Sequence, residues 1–140
     1  MINDGLKMKG RLTIALNDEV VQEVDNLVVT AGKNYVADRM GNNSTVMSHM
    51  AIGTGTSAAS ASDTTLGSEA VRTTLTSATV STNTIVYVDT FPAGSGTGAI
   101  TEAGVFNASS GGTMLCRTVF SVVNKGADDS MTITWTITVS

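Results

Sequence analysis

A chain of 140 residues has the size of one domain and is long enough to bury a core without disulfide or metal staples. Charged residues make up 14%, hydrophobic residues 41% and aromatics 4%, a balance too apolar for disorder and, with its excess of Thr, Ser, Gly and Val, weighted towards strands and turns. The net charge of −4, with 8 Lys plus Arg against 12 Asp plus Glu, leaves little to neutralise phosphates, so no nucleic-acid partner is expected.

Met8, Gly10, Leu12, Ile14 and Leu16 alternate with Lys9, Arg11, Thr13 and Ala15, the period of a half-buried strand. Asn17-Asp18 turns the chain, and residues 19–24 return as a second strand with Val20, or in the other register Val21, facing inward. Residues 30–41 are the one helix candidate: Thr30 caps the start, Gly41 ends it, and Ala31, Tyr35, Val36 and Met40 fall near one stripe. A short helix closing one end of a sandwich is the expectation. Val46, Ser48, Met50 and Ile52 alternate as a further strand, and residues 53–62 form a loop of small residues. One helical turn is expected after it, capped by Ser62 or Asp63.

Residues 69–80 read as a single strand that turns at Ser81-Thr82-Asn83 and returns over residues 84–91. A glycine-rich connection, Gly94-Ser95-Gly96-Thr97-Gly98, leads into a strand over residues 99–106. Residues 113–123 and 131–139 complete the set, the last with Met131, Ile133, Trp135, Ile137 and Val139 on one face and Thr at every alternate position. The fold class is therefore all-β: an antiparallel β-sandwich, jelly-roll or Ig-like, of about eight strands with one short helix. Residues 1–140 are expected to form one domain, with residues 1–7 as an extended N-terminal arm.

No residue earns a catalytic, cofactor-binding or metal role. The glycine-rich stretch 94–98 has the composition of a phosphate loop but precedes a strand, so no helix N-terminus follows to receive an anion. His49 has no acidic or cysteine partner at ligand spacing, and Cys116, mid-strand, reads as a small buried hydrophobe. Asp128-Asp129 lies in a turn without the alternating acids of a calcium loop. Glu69 with Arg72, and Glu102 with Arg117, are expected to pair across strands, each contributing about 1 kcal/mol or less if exposed. The start Met1-Ile2-Asn3-Asp4-Gly5 lacks the basic-then-apolar order of a signal peptide, and no run approaches the roughly 20 apolar residues of a membrane span. A soluble chain made in a cytoplasm, with no membrane partner, is expected.

Four blocks together carry a resemblance: residues 25–32 (DNLVVTAG), 50–56 (MAIGTGT), 100–107 (ITEAGVFN) and 131–136 (MTITWT). In this order the chain from about Gly10 to its end resembles small β-rich structural proteins of tailed bacteriophages, the capsid decoration or cement and tail-associated proteins. The resemblance implies a non-enzymatic virion protein without a cofactor, often a homotrimer. Its implied partners are the major capsid protein and copies of itself. A tail-fibre, collar or baseplate component is the alternative it implies. A carbohydrate-binding or hydrolytic sandwich is the competing class, disfavoured because so few aromatics remain for a sugar face once Trp135 is in the core.

Overall fold

The Thr-alternating segment at the C-terminus turns Met131, Ile133, Trp135 and Ile137 to one side, and all four are buried in the computed structural model, which describes residues 5–140. In chain order the elements are β1 (Met8–Leu16), β2 (Glu19–Asp25), β3 (Leu27–Val28), α1 (Thr30–Gly41), β4 (His49–Gly53), β5 (Glu69–Thr74), β6 (Ser77–Ser81), β7 (Thr84–Phe91), β8 (Gly98–Phe106), β9 (Met114–Lys125) and β10 (Met131–Val139). These ten strands form two antiparallel five-stranded sheets, one in the order β2-β1-β10-β7-β6 and the other β3-β9-β8-β4-β5. The all-β sandwich with one short helix is the fold, and the strand count rises from about eight to ten.

The core lies between the sheets. Leu12 and Ile14 of β1 sit opposite Trp135 and Ile133 of β10 and face Met50, Ile52, Ile100 and Val105 of the other sheet. Each fully buried side chain of this size contributes about 1.5–3 kcal/mol. The indole N–H of Trp135 donates to Asn26 Oδ1 at 2.9 Å, so the largest side chain of the core leaves no orphan donor. The Asn17-Asp18 turn has positive φ at both residues (50° and 68°), as the tight hairpin between β1 and β2 requires. Neither Val20 nor Val21 becomes a core residue. The register shifts between Ile14 and Ala15, both valines are largely exposed, and Val24 packs on the core instead.

The expected strand over residues 69–80 is in fact two. The chain leaves the second sheet after Thr74 and enters the first at Ser77, with the Leu75 N–H donating to Ser48 O and the Thr76 N–H to Val88 O across the switch. The expected strand around residues 46–52 starts only at His49. Helix α1 runs as expected, but Val29 holds the N-cap position with no side-chain hydrogen bond, Thr30 being already helical. Tyr35 and Val36 pack on the main core whereas Met40 is 83% exposed, which removes it from the expected stripe. The helical turn expected after residue 62 is a plain turn in which Asp63 Oδ2 accepts the Ser60 N–H. Of the expected N-terminal arm, residues 1–4 lie outside the described residues. Lys7 exchanges backbone hydrogen bonds with Ser140 (2.7 and 2.8 Å), which ties it to the sheet.

The second sheet is covered on both faces. A smaller apolar cluster of Val29, Ala51, Leu66, Phe106 and Met114 lies apart from the main core. Strand β8 is buried continuously from Ile100 to Phe106, as befits a strand with neighbours above and below.

Asp89, on β7, is 1% exposed and accepts the Thr73 hydroxyl of β5 at 2.5 Å, a polar link between the two sheets. Burial pushes its carboxyl up to about 6, against the opposing pull of the Thr73 hydroxyl and the Thr90 N–H. A raised carboxyl binds its proton more tightly in the folded state, so its contribution is complete below the unfolded value near 3.9 and is lost as pH rises through about 6. Between about pH 4 and 8 the wild type is therefore expected to lose about 2 kcal/mol more stability than Asp89→Asn, measured by urea unfolding at each pH. Parallel pH profiles for the two proteins would show Asp89 to be solvated.

Candidate functional site

Two features stand out once the sequence is folded: a polar cluster beneath the long loop between β4 and β5, and an open sheet edge beside an apolar groove. The first is built on adjacent strands. Glu102 of β8 and Arg117 of β9 are 0% and 2% exposed, and Arg117 Nη2 and Nε donate to Glu102 Oε1 at 2.9 and 3.2 Å. The loop closes over them with its own backbone. The N–H groups of Gly55 and Ser68 donate to Glu102 Oε2 at 2.6 and 2.7 Å, and the Gly67 N–H donates to Oε1 at 2.7 Å. Arg117 also reaches Asp63 Oδ2 at 2.9 Å and Ser57 O at 3.1 Å.

Burial alone would raise the Glu102 carboxyl, but the donors from Ser68, Gly67, Arg117 and Gly55 outweigh it and hold it below the usual carboxylate range. With five donors on two oxygens, Glu102 has no capacity left for proton transfer, and the cluster serves as a clamp on residues 54–68. Glu102 and Arg117 thus pair across strands as expected, but buried within a network rather than exposed. Glu69 and Arg72 do pair, at 2.8 Å, but within β5 rather than across strands. Arg72 also stacks 3.7 Å from the Phe106 ring centroid and donates to Ala108 O and Gly111 O, holding the loop after β8.

The residues weighed for chemistry in the sequence stay apart. His49 Nδ1 meets Ser48 Oγ at 2.7 Å, and its Nε2 lies 3.4 Å from Thr74 Oγ1. Cys116 is fully buried, and burial pushes its thiol well above the ordinary value, away from the thiolate that nucleophilic chemistry needs. The 94–98 stretch is a turn with positive φ at Gly94 and Gly96 that leads straight into β8. Asp129 accepts the Gly126 N–H and the Asn17 amide, so its carboxylate organises two turns. Among the described residues no three His, Cys, Asp or Glu side chains converge on a point, and no helix is long and apolar enough to cross a membrane.

The second feature lies at the far edge of the first sheet. Strand β6 has β7 on one side and, among the described residues, no strand on the other, and all five of its residues are exposed. Its Ala78 and Val80 overhang a groove whose other wall includes Tyr35 and Val36 of α1 with Val46 and Met47. Val80 is 72% and Val46 56% exposed. No charged residue occurs from residue 73 to 88. Exposed strand edges are ordinarily blunted by charge, proline or a covering element. The edge strand β2, by contrast, carries Glu19, Glu23 and Asp25, and β5 carries Glu69 and Arg72. This edge is hidden in the sequence because residues 69–80 read as one strand, and nothing in them signals the change of sheet.

Compared with known proteins, the chain has no significant match to a family model, a curated protein or a solved structure.

Proposed function

We propose that the chain is a non-enzymatic structural subunit of a tailed-bacteriophage particle: a capsid decoration (cement) protein that binds the outer shell through the major capsid protein and neighbouring copies of itself. The observation that supports a binding role is the uncharged open edge β6 with its apolar groove, an exposed surface that costs little to desolvate and offers backbone hydrogen bonds to a neighbour. The resemblance of residues 25–32, 50–56, 100–107 and 131–136 supplies the particle. In this reading the protein resides in the virion, assembled in the bacterial cytoplasm.

Capsids assembled without the protein are expected to lose resistance to heat and osmotic shock, and unchanged resistance overturns the cement role. Quantitative mass spectrometry of intact particles tests the location. Hundreds of copies support the shell, whereas a dozen or fewer move the protein to a tail-fibre, collar or baseplate position.

A further inference from the structure

We propose that β6 is a homodimerisation edge, pairing antiparallel with β6 of a second copy about a two-fold axis through Thr79, so that two five-stranded sheets become one of ten. The inference concerns the isolated chain in solution and does not depend on where in a particle the protein sits.

The register of β6 on β7 identifies which groups are free. Ser77, Thr79 and Ser81 lie opposite Val88, Val86 and Thr84, and the hairpin closes over Thr82-Asn83. In an antiparallel ladder, residues that exchange hydrogen bonds with the neighbour alternate with residues that face away from it. A two-residue hairpin sets Ser81 and Thr84 as a bonded pair, so Ala78 and Val80 turn their N–H and C=O groups to the open side. A two-fold axis through Thr79 sets Ala78 against Val80 of the second copy and Val80 against its Ala78. All four outward-facing groups of each strand are then used, which no register centred one residue away achieves.

The side chains and the charges fit the same occupant. Val80 and Ala78 share the groove face, so each large residue meets a small one across the seam, and the exposed Val80 and Val46 become covered. A chain of net charge −4 is repelled by its own copies at most surfaces, but residues 73–88 present no charge of either sign. Among the residues lining the groove Arg39 is the one charged side chain, and it is tied to Asn43 Oδ1 and Ser44 O. The edge strand β2 carries Glu19, Glu23 and Asp25, like charges that would face each other in the same arrangement.

Sedimentation equilibrium of the whole chain, with two variants, tests the pairing. The wild type is expected at twice the chain mass. Ala78→Pro removes an outward N–H without touching the bond to β7, and Val80→Lys sets a charge in the seam. Both are expected at the monomer mass with unchanged far-UV circular dichroism. Thr79→Cys is expected to form a disulfide-linked dimer under mild oxidation by dissolved oxygen with copper, because two-fold-related residues at a non-hydrogen-bonded pair lie within disulfide reach. The native Cys116 is buried and does not interfere. A wild-type monomer or trimer, a dimer that survives both variants, or a Thr79→Cys protein that stays uncrosslinked overturns the proposal.

Discussion

Arg117→Met is expected to destabilise the fold by about 3–5 kcal/mol in urea unfolding, the range for removing one partner of a buried ion pair. The guanidinium is held by Glu102, Asp63 and Ser57 O, and its loss leaves the Glu102 carboxylate buried with only the Gly55, Gly67 and Ser68 N–H groups. The damage should begin in the loop, since residues 54–68 are pinned to the sheet from the middle by Asp63 and from both ends by Glu102. Amide exchange and limited proteolysis are expected to report residues 54–68 opening before the sheets do. A loss below about 1 kcal/mol would place this pair with ordinary solvated surface pairs. Acidification acts through the same carboxyl with the opposite sign to Asp89. A carboxyl held low contributes stability above its unfolded value near 4.3 that is lost as pH falls through its folded value. Glu102 therefore weakens the protein towards acid while Asp89 strengthens it.

Gly32→Ala is expected to destabilise by about 2–3 kcal/mol, although Gly to Ala within a helix ordinarily gains nearly 1 kcal/mol. Gly32 is the buried residue of α1, and a Cβ there would overlap the Leu115 carbonyl oxygen and come within 2.8 Å of its carbon and 2.9 Å of its Cα. Backbone cannot step aside as a flexible side chain can, so the helix must lift from β9. Lifting also disturbs the Tyr35 and Val36 contacts with the core. Gly41→Ala in the same helix is the control: nothing lies within 4 Å of an added Cβ, and the variant is expected to be neutral or slightly stabilised. Thermal unfolding should fall for Gly32→Ala and stay or rise slightly for Gly41→Ala, and equal shifts would exclude steric docking as the cause.

The sheets were legible where one face is buried and the other is wet. Met131 to Val139 announces its inward face by strict alternation, and β1 does the same over an equal length. Legibility fails where both faces are covered. In β8, Ile100 to Phe106 has no alternation to read, so Glu102 looks like an ordinary surface charge; the usable signal was a lone acid inside a run of small and apolar residues, which must find a partner once buried. The division of residues 69–80 was hidden for another reason. Thr74, Leu75 and Thr76 keep strand propensity across the change of sheet, and only the strand order of the folded molecule places Val80 on an open edge rather than in a core.

The position of β10 has a consequence for the order of events during synthesis. Strand β10, made after every other strand of the first sheet, is its central strand, flanked by β1 and β7. Until it is added, β1–β2 and β6–β7 are two separate hairpins, each with an edge bare on the side where β10 will insert. A chain halted anywhere before Met131 therefore lacks Trp135 and the seam that joins them. Closure of the first sheet waits for β10, and the long sequence separation between β1 and β10 makes that insertion slow.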